Sequence, residues 1–165
     1  MIAVSNTTPL RYVIAIGHAY LFQEIFETVF VPGAVHAELT ESGTPEKVRK
    51  EILSLPKWYE VRTVQNPAVP SFPVTLHRGE REAILLAESL RADVLLIDDQ
   101  AGRGVALARN LPVSGTLGLV ERADSIGLIG DFPKVIEELK GSGFFIGETL
   151  EQQLLGRYLK RKANK

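Results

Sequence analysis

Apolar positions along the chain switch repeatedly between short continuous runs and helical stripes. Residues 2 to 5 form an apolar run, and the Thr7-Thr8-Pro9 that follows joins helix-capping side chains to a proline suited to a first helical turn, so a strand feeds a helix. Leu10, Val13 and Ile14 share one stripe, Gly17 breaks it, and a second helix carries Leu21, Phe22, Ile25 and Phe26. Val29-Phe30-Val31 reads as a strand, Pro32-Gly33 opens a helix through Glu41, and Thr44-Pro45 opens another that ends near Leu55-Pro56. A strand over Tyr59 to Val64 is followed by a connecting loop from Gln65 to Thr75, where Pro67, Pro70 and Pro73 remove donors and fix the backbone. The clearest signal comes next: a helix over Gly79 to Leu90 with Ala83, Ile84, Ala87 and Leu90 on one face, a buried strand over Val94 to Ile97, and a helix over Gln100 to Asn110. Pro112-Val113 is a further short strand, and residues 116 to 127, 131 to 140 and 147 to 161 are helices.

Strands that alternate with helices of this length pair in parallel, because only a crossover element returns the chain in the same direction. The expected fold is α/β, a three-layer α/β/α sandwich around a central parallel sheet. A length of 165 residues with 45% hydrophobic positions fits a single domain over 1–165, with a C-terminal helical extension from about residue 131. A net charge of -1 argues against an obligate DNA clamp and leaves room for transient contact with RNA. The absence of cysteine removes disulfides, thiolate zinc sites and cysteine nucleophiles, so any metal must take oxygen or imidazole ligands. No run approaches the ~20 apolar residues of a membrane span, and Met1 runs directly into Ile2-Ala3-Val4 without a basic leader, so a cytoplasmic protein is expected. The basic end with Lys160, Arg161, Lys162 and Lys165 reads as a solvated helix terminus.

In open parallel sheets ligands bind beyond the carboxyl ends of the strands. The first strand delivers Ser5-Asn6-Thr7-Thr8 there, the buried strand delivers Asp98-Asp99, and the next delivers Ser114-Gly115-Thr116. Helix capping accounts for Thr8 and Thr116 taken singly, but one cap needs one side chain, which leaves one of Asp98 and Asp99 for another task. Glu38 continues the stripe of Val31, Ala34 and Val35, and Glu80 stands in the same relation to Ala83, Ile84 and Ala87. Both carboxylates therefore point inward or toward a cleft, where an isolated buried charge costs several kcal/mol unless paired or metal-bound. For Glu80 the alternative is a first-turn acid favoured by the helix dipole, and for Glu38 it is an ion pair with a nearby arginine. If the fold gathers Glu38, Glu80, Asp98 and Asp99 at one end of the sheet, the hard oxygens suit Mg²⁺ or Mn²⁺. Such ions activate water and stabilise charge in a displacement at phosphorus, which makes phosphodiester hydrolysis the leading chemistry. Arg11, Arg78, Arg81 and Arg103 lie near these motifs and are candidates for phosphate contact. His18, His36 and His77 have no metal-ligand spacing.

Several blocks, in order, resemble a PIN domain: Val4-Ser5-Asn6-Thr7-Thr8-Pro9-Leu10, Val31-Pro32-Gly33-Ala34-Val35 through Glu38-Leu39, Gly79-Glu80 with Ala83-Ile84 and Leu86-Ala87, Leu95-Leu96-Ile97-Asp98-Asp99, Gly102-Arg103, Ala106, and Val113-Ser114-Gly115-Thr116-Leu117-Gly118. The likeness covers almost the whole chain and is nearest to a VapC-like, PilT N-terminus-like prokaryotic subfamily. It implies a Mg²⁺- or Mn²⁺-dependent ribonuclease, often the toxin of a toxin–antitoxin pair, with a homodimeric state and an antitoxin that blocks the acidic cleft. Carried onto this chain, the family's acids fall on Glu38, Glu80 and Asp99, with Asp98 as neighbour and substitute, and the first acid falls on Asn6. An amide offers a carbonyl ligand without negative charge, so the resemblance is weakest at that position. Thr7, Arg103 and Thr116 are the substrate-contact candidates, with Thr116 either a hydroxyl ligand or a helix cap.

Two other α/β readings fail on the residues present. A dinucleotide fold needs a glycine-rich turn where this chain has Ser5-Asn6-Thr7-Thr8-Pro9, and a receiver domain needs an acid at the end of the first strand. The remaining alternative is a PIN-like module in which Asn6 has weakened metal binding and the surface serves RNA or protein recognition. Leu10, Val13, Leu21 and Phe22 lie on early helices that could carry a dimer contact.

Overall fold

A computed structural model describes residues 1–64 and 72–165. Five parallel strands, β1 (Ile2–Ser5), β2 (Thr28–Pro32), β3 (Tyr59–Arg62), β4 (Val94–Leu96) and β5 (Val113–Ser114), lie in the order β3-β2-β1-β4-β5. Helices α1 (Thr7–Ala15) and α2 (Tyr20–Ile25) connect β1 to β2, and α3 (Gly33–Thr40) and α4 (Glu46–Leu53) connect β2 to β3. Helix α5 (Arg78–Leu90) leads into β4, α6 (Gln100–Ala108) into β5, and α7 (Thr116–Ser125), α8 (Phe132–Gly141) and α9 (Glu148–Ala163) complete the chain. This is the parallel α/β sandwich expected from the sequence. The residues 65–71 of the expected proline loop lie outside those described.

The strand pleat sends alternate side chains to opposite faces, and both faces are covered. Ala3, Val29, Val31 and Leu96 join one core with α1, α2, α4 and the C-terminal helices, while Val4, Phe30, Leu95 and Ile97 join the other with α5 and α6. Leu10, Val13, Leu21 and Phe22 are fully buried in the first of these cores. These four side chains are therefore spent on the fold of a single chain, and it is other residues of α1 and α2, such as Arg11 and Tyr20, that reach the surface. The stripe of the four was real, but the sheet and the C-terminal helices cover it.

The strand order also decides where a site forms. The chain moves outward from β1 through β2 to β3 and then returns to place β4 on the other flank of β1. Helices on either side of this reversal diverge, and a crevice opens at the carboxyl ends of β1 and β4. The backbone there is tied across the two strands, with the Asn6 N–H donating to the Leu96 carbonyl at 2.9 Å. Helix α3 packs against both α1 and α5 above this point.

Candidate functional site

Asn6 occupies the N-cap position of α1 in extended conformation, yet its side chain makes no capping bond. Its amide is nine-tenths buried and stands at the crevice with its oxygen uncommitted to the helix. One residue on, the Thr7 hydroxyl donates to Glu38 Oε2 at 2.7 Å, which fixes the α3 carboxylate over the end of β1. Thr7, and no arginine, is thus the observed partner of Glu38. On α5, the His77 N–H donates to Glu80 Oε2 at 3.1 Å, so Glu80 does serve the first-turn capping role open to it. It does so while only 7% exposed, with its second oxygen uncommitted. Asp99 caps α6, accepting the Gly102 N–H at 2.7 Å.

These side chains converge. Burial pushes the Glu80 carboxyl above the usual carboxylate range, and the charges of Asp99 and Glu38 raise it further against the pull of the His77 N–H. At Gly79 the helices approach so closely that a β-carbon would stand 2.9 Å from Glu38 Oε1 and 3.7 Å from Asn6 Oδ1. Only glycine leaves that space to the two oxygens. An open cleft of about 370 Å³ results, bordered by Asn6, Thr7, Arg11, Glu38, His77 and Glu80.

Asp98 belongs elsewhere. Its two oxygens accept the Thr116 N–H at 2.8 Å and the Thr116 hydroxyl, and it faces a neighbouring cleft. Burial raises its carboxyl above the usual range, while the Thr116 bonds and the Arg103 charge oppose that shift. The capping account of Thr116 does not hold, since Gly115 is the N-cap of α7 and the fully buried Thr116 hydroxyl serves Asp98 instead. Nor does Thr8 cap α1, where Asn6 holds that position.

Of the four arginines near the motifs, three are committed to the protein. Arg78 pairs with Glu82 at 2.6 Å, Arg81 donates to the Leu76 carbonyl at 2.9 Å, and Arg103 donates to the Ile97 carbonyl at 3.0 Å. Arg11 borders the acids directly and makes no ion pair among the described residues. His77 and Tyr12 also line this cleft, though nothing singled them out in the sequence. The usable signal was the spacing of Thr7, Thr8, Arg11 and Tyr12, which puts the four on adjoining faces of the helix that leaves β1.

Among the described residues, no three His, Asp or Glu side chains stand close enough to hold a metal ion unaided. The donors nevertheless fit Mg²⁺ or Mn²⁺ in kind, because such ions are commonly held by one or two carboxylates and complete their sphere with water and substrate phosphate. Asn6 Oδ1 and the uncommitted oxygens of Glu38 and Glu80 are the hard donors that line the cleft, and Asp99 stands outside its lining.

A five-stranded parallel sheet in this order, flanked by helices, matches the fold of the PIN domain. A PIN-domain family model matches residues 2–159, and the chain belongs to that family. The fold is also similar to that of a PilT N-terminus domain protein from the hyperthermophilic archaeon Sulfolobus solfataricus P2, at a TM-score of 0.51 and 18% identity over 72% of this chain and 90% of that one. No curated protein matches the chain. The family generally includes metal-dependent nucleases, and its members typically bind RNA. No helix among the described residues is long and apolar enough to cross a membrane.

Proposed function

We propose that the protein is an endoribonuclease that hydrolyses RNA phosphodiesters with Mg²⁺ or Mn²⁺ at the cleft over β1 and β4. The observation that carries this reading is that Glu38 and Glu80, from two separate helices, line one cleft with the Asn6 amide, with the Asp99 charge near enough to raise the Glu80 carboxyl. Like charges placed this way raise the energy of the folded chain unless a cation offsets them. When bound, a divalent ion supplies the charge neutralisation and the activated water that phosphodiester hydrolysis requires. The chain contributes position: the Thr7 hydroxyl and the His77 N–H each hold one carboxylate of the cleft, Glu38 and Glu80, by a single oxygen, and the Gly102 N–H holds Asp99 by one oxygen at the head of α6. Arg11 adds the positive group that a phosphate would meet on entry. The toxin role, the antitoxin that would close the cleft and a homodimeric state follow from the likeness to VapC-like proteins and form the biological setting of this proposal.

The test is cleavage of mixed structured RNAs by wild type and by Asp99→Asn, with Mg²⁺, with Mn²⁺ and with chelator. Asparagine still caps α6, so the variant folds, and cleavage should require metal and fall at least about a hundredfold in the variant. Equal activity in both proteins would sink the site assignment. No cleavage by well-folded wild type under any condition would favour the second reading, a recognition module whose metal affinity is weakened by Asn6.

A further inference from the structure

The acid cleft adjoins a larger one. Thr8 and Tyr12, one turn apart on α1, line the acid cleft and also a second cleft of about 700 Å³, a size suited to a nucleotide. Its far wall is set by the end of α8. There the Gly143 and Phe144 N–H groups return to the Lys140 and Leu139 carbonyls at 3.1 and 3.0 Å, with Gly143 at φ +97°, a turn open to glycine. This stop turns two consecutive phenylalanines to different tasks. Phe144 packs edge-on against Tyr12, with ring centroids 5.1 Å apart at 74°, whereas Phe145 lines the cleft and is 88% exposed.

The charges of this cleft are largely matched within the protein. Asp98 is held by Thr116, and Arg157 donates to both oxygens of Glu121 at 2.9 and 2.8 Å. What the cleft presents to a ligand is aromatic and aliphatic surface from Phe145 and the half-exposed Leu150, with the Arg103 guanidinium close by and Arg11 at the acid side of the junction. An exposed flat ring in a cleft that also carries the Arg103 guanidinium, and that shares Thr8 and Tyr12 with the acid cleft, matches a nucleobase on its sugar–phosphate strand better than it matches a peptide.

We propose that this second cleft is a nucleobase subsite, in which a base of single-stranded RNA stacks on Phe145 while the strand passes over Thr8 and Tyr12 to bring its phosphate past Arg11 to the acids. The inference rests on the phosphodiesterase reading of the acid cleft. Stacking needs an unpaired base, because the faces of bases inside a duplex are already occupied. It is tolerant of sequence, since every base has a π face, so the subsite selects strandedness and not base identity.

The experiment measures equilibrium binding of an unstructured, labelled RNA of about ten nucleotides by fluorescence anisotropy, in chelator so that no cleavage intervenes. Phe145→Ala should weaken binding about tenfold, Phe145→Tyr should restore it, and an oligomer of the same backbone without bases should bind wild type and Phe145→Ala alike. The exposed position leaves the fold of these variants intact. Wild type that cleaves RNA with Mn²⁺ yet binds it no more tightly than Phe145→Ala overturns the subsite alone. Wild type that neither binds nor cleaves RNA overturns the subsite together with the reading on which it rests.

Discussion

Glu38 and Glu80 in the acid cleft, and Asp99 outside its lining, each accept one hydrogen bond from the protein through one oxygen, whereas in the adjoining cleft Asp98 has both oxygens bound by Thr116 and Arg157 is matched by Glu121. Both clefts open at the same end of the sheet and share Thr8 and Tyr12. The contrast separates a carboxylate bonded through both oxygens from carboxylates bonded through one. Asp98 and Asp99 are adjacent in the chain, but one closes a buried bond to α7 and the other stays exposed at the head of α6. A carboxylate bonded through both oxygens is satisfied by the fold, whereas neighbouring carboxylates bonded through one oxygen repel each other unless a cation offsets them.

The comparison can be sharpened first at Asn6. Converting it to a carboxylate adds charge to the donor set without changing its size, so Asn6→Asp should tighten Mn²⁺ binding at least about tenfold, read by calorimetric titration. An unchanged affinity would remove Asn6 from the site. The neighbouring cleft predicts a different kind of response. Thr116→Val deletes the hydroxyl bond to a buried carboxylate and should cost about 2 kcal/mol of unfolding free energy by urea denaturation, with Mn²⁺ affinity unaltered. Loss of metal binding in that variant would move Asp98 into the metal site and blur the division.

The smallest effect is in the pH dependence of stability. Burial and the nearby acids raise the Glu80 carboxyl in the folded chain above its ordinary value of 4.5, so the native state holds this proton more tightly than the unfolded state does. Its contribution to stability is complete below that ordinary value and is lost as pH rises through the folded one. Glu80→Gln keeps the acceptor for the His77 N–H and removes the titration. Urea curves in chelator between about pH 4 and 7 should show wild type losing stability relative to the variant as pH rises. A gap that stays constant would mean that neither burial nor the nearby acids raise the Glu80 carboxyl.

Much of this site was legible in the chain because it follows from short-range rules. The carboxyl ends of predicted strands located Asn6 and Asp98-Asp99, and helical spacing placed Glu38 and Glu80 on inward faces. What failed were the partners. Thr116 and Thr8 fit the composition of helix caps, yet Gly115 and Asn6 hold those positions and the Thr116 hydroxyl reaches across to Asp98. Glu38 found Thr7 where an arginine was the expected partner. The stripe of Leu10, Val13, Leu21 and Phe22 announced burial, but a stripe does not say whether the covering surface comes from the same chain or another, and here the chain itself covers it.

The sequence by itself determined the alternation of strands and helices, the parallel sheet, and the acidic residues at its carboxyl end, because apolar period and local chain chemistry act over a few residues. The tertiary structure alone decided that Asp98 turns to Thr116 while Asp99 caps α6, that Arg11 lines the acid cleft without an ion pair among the described residues, and that Phe145 lies exposed in the cleft that Tyr12 also lines. Those outcomes depend on how α1, α3, α5 and the α8–α9 turn pack over the reversal between β1 and β4, where residues far apart in the chain compete for the same hydrogen bonds and the same space.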